Sequence, residues 1–219
     1  MPVIACVTIG QSPREDAVPE LQRFVPHARF IEAGALDRLD DVAIAAIGPT
    51  GGDFPLVTRL RDRRSVVVGE HAITPLVQDA IRRVEDEADL VIVLCTGEFA
   101  VSCRKPLLFP GRILASTVAA VHGGRPVVIL APHESQVTLV GERWRARGVE
   151  ATVLAASPYA NTDFEAVGRR ARDAGAALVV MDCLGHSLAM KSAVAAASGL
   201  PTILVRSLVA RVAAELVER

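Results

Sequence analysis

One repeated unit constrains this chain more than any other feature. Leu178–Val179–Val180–Met181–Asp182–Cys183–Leu184–Gly185–His186 has a near-copy at Leu90–Val91–Ile92–Val93–Leu94–Cys95–Thr96–Gly97–Glu98. Aligned without gaps, the two share Leu, Val, Cys and Gly at the first, second, sixth and eighth positions. Each is a short apolar run ending in a cysteine, with a glycine two residues on. A run of this kind reads as a strand buried on both faces, as strands of parallel sheets are. The cysteine then stands at the carboxyl end of its strand, where ligands collect in open α/β sheets. Two thiols delivered in this way predict two similar halves with a site between them.

The rest of the chain alternates strand and helix around these two units. Val3–Ile9 reads as a first strand, followed by a turn in which Ser12 caps a helix that has Pro13 at its first position and runs to about Phe24. Arg29–Glu32 is a second strand and Asp37–Ala46 a helix. Leu56–Leu60 and Ser65–Val68, joined by the polar Arg61–Arg64, read as a β-hairpin inserted into the alternation. His71–Val84 is a helix, Leu90–Leu94 the strand before Cys95, Phe99–Pro110 irregular, and Ile113–His122 a helix. Pro126–Val127–Val128–Ile129 then echoes Pro2–Val3–Ile4 and opens the second half. There follow a helix to Arg147, a strand at Ala151–Ala155, a helix at Asp163–Ala174 closed by Gly175, and the strand before Cys183. A helix at Ser187–Ala197, a strand at Thr202–Val205 and a helix at Ser207–Val217 complete the chain. The expected class is α/β with parallel sheets, in two pseudo-symmetric halves, the first carrying the hairpin.

Composition narrows the function. A chain of 219 residues that is 51% hydrophobic buries one large core or two small ones. A formal net charge of −1 gives no reason to expect nucleic acid or an anionic membrane surface as partner. No apolar run reaches the roughly 20 residues that span a bilayer. Met1–Ile9 lacks a basic leader and a long apolar region, so no signal peptide is expected. Four cysteines without such a leader fit a reducing, cytoplasmic setting. No Cys-x-x-Cys or His-Glu-x-x-His spacing offers a metal site, and none is expected.

A thiolate is both a base and a nucleophile, and its pKa, about 8.5 when free, falls at a helix N-terminus. Two thiols facing a small substrate suit two-base chemistry: one removes a proton from a carbon next to a carboxylate, the other returns one to the opposite face. Backbone N–H groups after Cys95 and Cys183, and the Thr96 hydroxyl, suit the substrate carboxylate and the charge that develops on it. Gly97 and Gly185 let the backbone approach a ligand. A lone cysteine at a strand end is more often a small buried hydrophobe; two at matching points of a duplication argue against that reading. Cys6 lies inside the first strand and reads as core; Cys103 has no assigned role.

The duplicated cysteine arrangement resembles the aspartate/glutamate racemase superfamily, which includes hydantoin racemases, maleate isomerases and arylmalonate decarboxylases. Within it the whole chain resembles the AroM family. The resemblance rests on Thr8–Ile9–Gly10–Gln11–Ser12–Pro13–Arg14, Pro55–Leu56–Val57–Thr58–Arg59–Leu60–Arg61, Leu94–Cys95–Thr96–Gly97 and Met181–Asp182–Cys183–Leu184–Gly185–His186. It implies two flavodoxin-like halves, a site in the cleft, no cofactor, Cys95 and Cys183 as acid and base, and a C-terminal helix that returns to the first half. The halves are then 1–112 with 206–219, and 113–205. A homodimer is an expectation from the resemblance alone. The better-known racemases follow their cysteines with Asn-Thr and Thr-His; Thr96–Gly97 and Leu184–Gly185–His186 imply an altered carboxylate pocket here.

Other residues are candidates for substrate contact. Ser12 suits a carboxylate by hydrogen bond and Arg14 by bidentate pairing, against the alternative of a helix cap and a solvated arginine. Arg59 or Thr58 reads a second carboxylate if the hairpin covers the site; otherwise they are ordinary strand residues. His186 activates the thiol, acts as acid or base itself, or is a polar cap. Ser135 holds in the second half the place of the loop around Ser12 in the first, against the alternative of a plain capping turn. The expected function is a cofactor-independent racemase or isomerase of a small carboxylate-bearing acid. The alternatives are a one-thiol cis–trans isomerase or decarboxylase of the same fold, or a binding protein without chemistry.

Overall fold

The apolar runs form the strands of two parallel sheets, in a computed structural model that describes Met1–Glu218. In the first sheet the order is β2 (Arg29–Gly34), β1 (Val3–Thr8), β5 (Leu90–Val93), β6 (Leu107–Leu108). In the second it is β8 (Ala151–Ala155), β7 (Val127–Ala131), β9 (Leu178–Met181), β10 (Thr202–Leu204). All neighbours in both sheets run parallel. The two orders are the same: the second strand of a unit, its first, its third, its fourth. The direction of winding therefore reverses beside the first strand in each unit, between the first and third strands, the place where open α/β sheets receive ligands. In one sheet those ends lead into the loop after Thr8 and the Cys95 turn. In the other they lead into the loop after Ala131 and the Cys183 turn.

Two compact units contain these sheets: Met1–Pro110 with the C-terminal segment from Ala210, and Gly111–Val209. Strands β5, β7 and β9 are buried at every position, as strands covered on both faces must be. The first core joins Val7, Val91 and Val93 to Ile73, Val77 and Ile81 of helix α3 (Glu70–Val84). The second joins Val128, Val179 and Met181 to Val167 of α6 (Phe164–Asp173) and Val194 of α7 (Leu188–Ser198). Local chemistry sets the ends of these helices. Asp163 caps α6 by accepting from Ala166 N–H at 2.9 Å, and Ser187 caps α7 from Met190 N–H at 3.2 Å. Gly199 closes α7 with a φ of 69°.

The expected hairpin is present as β3 (Pro55–Arg59) paired antiparallel with β4 (Ser65–Gly69). It lies against the loop after β1. A Cβ on Gly10 would stand 2.2 Å from the Arg59 carbonyl oxygen, so only glycine admits that approach. The contact is held by Gln11 N–H on Arg59 O at 3.2 Å and Arg61 N–H on Gln11 Oε1 at 3.0 Å.

Several sequence expectations need correction. The helix expected over Ser12–Phe24 is only α1 (Val18–Gln22). Side chains beyond β1 take the donors a helix would use: Asp37 accepts from Ser12 N–H and hydroxyl at 2.7 and 2.8 Å, and Glu32 from Arg14 N–H at 2.6 Å. The Ser12–Pro13 bond is cis. Asp37 is thereby lost to α2 (Asp41–Ala46), which Asp40 caps instead. Phe99–Pro110 is not wholly irregular, because Leu107–Leu108 adds β6 beside β5. Two residues carry too little pattern to be read as a strand. Helix α4 (Pro110–His122) begins at Pro110 and α8 (Val205–Val217) at Val205, each a few residues earlier than expected. The remaining helix, α5 (Val137–Ala146), follows a single 3-10 turn at Glu134–Gln136. No helix of the described residues is long and apolar enough to cross a membrane.

Candidate functional site

Both duplicated cysteines stand at the carboxyl ends of the third strands of their units. Cys95 is half-buried and Gly97 N–H donates to its Sγ at 3.4 Å. Cys183 is buried and Gly185 N–H donates to its Sγ at 3.3 Å. The same local device thus occurs twice: a strand ends, the chain turns, and the N–H of the glycine two residues on faces the sulfur. Both glycines are crowded by side chains: a Cβ on Gly185 would lie 2.5 Å from the Tyr159 hydroxyl and one on Gly97 would lie 2.9 Å from Glu70 Oε1. Leu184 is buried and Thr96 half-buried in these turns.

The other two thiols differ. Cys6 is fully buried, and burial followed by the charge of Glu32 pushes its thiol far up. Cys103 is also pushed up, chiefly by burial.

The loop after β1 brings several sequence candidates together. Arg14 is 4% exposed. Its Nε and Nη2 fork onto Asp16, both at 2.8 Å, and its Nη1 donates to Thr8 Oγ1 at 3.0 Å. The guanidinium is thus held in the loop that it helps to shape. Burial raises the nearby Glu32 carboxyl, although the Arg14 N–H and charge pull it the other way. Ser12 is tied to Asp37 through both its donors. Thr58 is buried on β3, and its hydroxyl has no hydrogen-bond partner among the described residues. Arg59, half-buried, lines a pocket of about 280 Å³ with Arg14, Pro13, Glu15, Arg61 and Arg63.

In the second unit Ser135 is exposed, and its hydroxyl lies 2.8 Å from Nδ1 of His133 in its own turn. His186 is fully buried, with Nε2 2.7 Å from the Ala156 carbonyl and its ring edge-on to Phe164. Because a carbonyl only accepts, Nε2 carries the proton and Nδ1 is left as a buried acceptor with no partner among the described residues. Burial first, and the charge of Arg206 after it, depress the ring's pKa to about 4, against the opposing pull of the Ala156 bond. The imidazole is neutral at pH 7. Asp182, just beyond β9, accepts from Trp144 Nε1–H at 2.9 Å.

Sequence reasoning missed Arg206. It is 1% exposed, and it donates from Nε to Leu184 O at 2.8 Å and from Nη2 to Gly185 O at 3.0 Å. A signal was available. Arg206 falls at helical spacing with Val209, Ala210 and Ala213, all buried, so it sits on the apolar stripe of α8. Tyr159 and Glu70, which crowd the two turns, gave no comparable signal. Among the described residues, no group of three or more His, Cys, Asp and Glu side chains is placed to hold a metal ion.

Residues 4–217 match the family described as AroM protein. No curated protein matches the chain in sequence. Solved structures with the same fold include unliganded arylmalonate decarboxylase, at 15% identity and a TM-score of 0.64 over 99% of this chain and 92% of that one. Allantoin racemase from Klebsiella pneumoniae gives 13% identity and a TM-score of 0.64 over 99% and 88%. The maleate isomerase Iso from Pseudomonas putida S16 gives 12% and 0.60 over 99% and 93%. At these identities the likeness is one of fold.

Proposed function

Since the chain belongs to the AroM family, we propose that it is a cofactor-independent racemase or isomerase that moves a proton at a carbon next to a carboxylate of a small organic or amino acid. Cys95 and Cys183 are its acid and base. The observation that carries this reading is the duplicated turn: each thiol ends the third strand of its sheet, and a glycine N–H meets each sulfur. A donor on sulfur favours the charged form of the group. In each half-reaction one sulfur, as thiolate, takes the substrate proton while the other, as thiol, supplies one to the opposite face. The developing charge on the substrate carboxylate is met by backbone N–H groups after the cysteines and by the Thr96 hydroxyl. The buried Thr58 hydroxyl and Arg59 are the first unit's contacts for a further polar group of the substrate, with Ser12 and Arg14 shaping the loop beside them. The fold is shared with structures named as a racemase, an isomerase and a decarboxylase, so the reaction class is consistent with it.

The test is exchange in heavy water across a panel of small chiral and unsaturated acids, followed by NMR. A substrate should gain deuterium at the carbon next to its carboxylate, and Cys95→Ser and Cys183→Ser should each lose turnover by at least about 1,000-fold, as removal of an acid or base does. Exchange that survives in both variants would sink the two-thiol mechanism. One observation favours a second reading. Cys183 is buried while Cys95 is half-exposed, and unequal thiols suit a one-thiol isomerase or decarboxylase. That reading requires one of the two variants to keep full activity. A chain that binds an acid with neither exchange nor turnover is a binding protein.

A further inference from the structure

Arg206 lies buried against the turn that presents Cys183. Its Nε holds the Leu184 carbonyl and its Nη2 the Gly185 carbonyl. The Leu184 carbonyl and the Gly185 N–H belong to one peptide unit, and a trans peptide points these two groups to opposite sides. With the carbonyl drawn to Arg206, the N–H faces away from the guanidinium, and there it meets Cys183 Sγ at 3.3 Å. The turn is also crowded from outside, because Tyr159 and Pro158 fill the space that a side chain at Gly185 would need. The Cys95 turn is braced by other means: Glu98 N–H donates to Glu70 Oε1 at 2.8 Å.

We propose that Arg206 is a positioning residue for Cys183: by fixing the peptide plane between Leu184 and Gly185, it keeps the Gly185 N–H on the sulfur and so sustains the thiolate. The assignment rests on the reading that Cys183 reacts as a thiolate, and it adds a residue that acts through the turn. A planar fork is what the site asks for, since two neighbouring carbonyls are held at once by one rigid group.

The experiment follows alkylation of each cysteine by iodoacetamide across pH, resolved cysteine by cysteine by peptide mass spectrometry, in the full chain. In Arg206→Met the Cys183 midpoint should rise by about one to two pH units, the equivalent of one hydrogen bond to a charged group. Its rate at pH 7 should fall about 10- to 100-fold, while Cys95 stays as in the wild type. Arg206→Lys, which keeps the charge but lacks the fork, should fall between. Trp144, the only tryptophan, is buried in the same unit, so its emission reports that the unit is folded. A folded Arg206→Met with an unmoved Cys183 midpoint overturns the assignment. If that variant does not fold, an unmoved midpoint in Arg206→Lys overturns it equally. A moved midpoint in a chain that turns over no acid supports the assignment and removes the isomerase reading. An unmoved midpoint in an active enzyme does the reverse.

Discussion

Replacing His186 by glutamine should make the second unit less sensitive to acid. The wild-type imidazole is fully buried and neutral, with its pKa depressed from the ordinary 6.5 to about 4. The depressed value belongs to a base, so the unfolded chain takes up a proton in this window that the folded chain refuses. Stability is therefore fully present above about pH 6.5 and is lost as pH falls through the window, with the loss complete near pH 4. The slope approaches about 1.4 kcal/mol per pH unit, and over the window the loss reaches about 3 kcal/mol. That is a large share of the roughly 5–15 kcal/mol that holds a domain together. Glutamine does not titrate, and its amide is a suitable donor for the Ala156 carbonyl. The assay is urea unfolding followed by Trp144 fluorescence at a series of pH values between about 4 and 7. Glu32, whose carboxyl is raised by burial, contributes with the opposite sign, but it lies in the other unit and is common to both proteins. The difference between the two pH profiles isolates His186. A variant with the wild-type slope, or an NMR titration of His186 centred near 6.5, would refute the reasoning.

Two further substitutions probe the close approaches on which the candidate residues depend. Gly10→Ala would put a methyl 2.2 Å from the Arg59 carbonyl and 2.5 Å from Thr58 Oγ1. The hairpin must move as backbone, so a cost of about 3 kcal/mol, at the upper end of overpacking, and a Tm lower by ~6–12 °C are expected in calorimetry; an unchanged Tm would show that the contact is not tight. Gly185→Ala meets side-chain atoms of Tyr159 and Pro158 instead. It should cost less, about 1–2 kcal/mol, and Tyr159→Ala in the same chain should recover most of it in a double-mutant cycle; strict additivity would contradict the contact.

Much of the architecture was legible because burial on both faces writes itself into sequence. Leu90–Val93 and Leu178–Met181 are continuous apolar runs, and the structure buries all of both. The hairpin was legible from two β-rich runs about a polar turn, and the helices expected from Asp163 and Ser187 begin one residue later, at Phe164 and Leu188. The segment after β1 was not. Ser12–Pro13 carries a helix-start signal of ordinary strength, and Asp37 and Glu32, distant in sequence, overrode it by taking its donors. Arg14 shows the same limit: its residue type announces an anion partner, and Asp16, two residues on, takes two of its donors.

By itself, then, the sequence determined what depends on neighbours along the chain: the alternation of strand and helix, the duplication, and the placing of two cysteines where strands end. Hydrophobic period and turn chemistry are local quantities, and they survive folding. Only the tertiary structure decided what depends on partners far apart in the chain. It put the winding reversal beside β1 and β7, so that the loops after Thr8 and Ala131 share a sheet edge with the cysteine turns. It brought Arg206 across 21 and 22 residues to two carbonyls of the Cys183 turn. It made His186 neutral, because the ring is buried beside that arginine's charge. Desolvation and hydrogen bonding at a buried group are set by whatever packs around it, and no stretch of sequence around His186 contains that information.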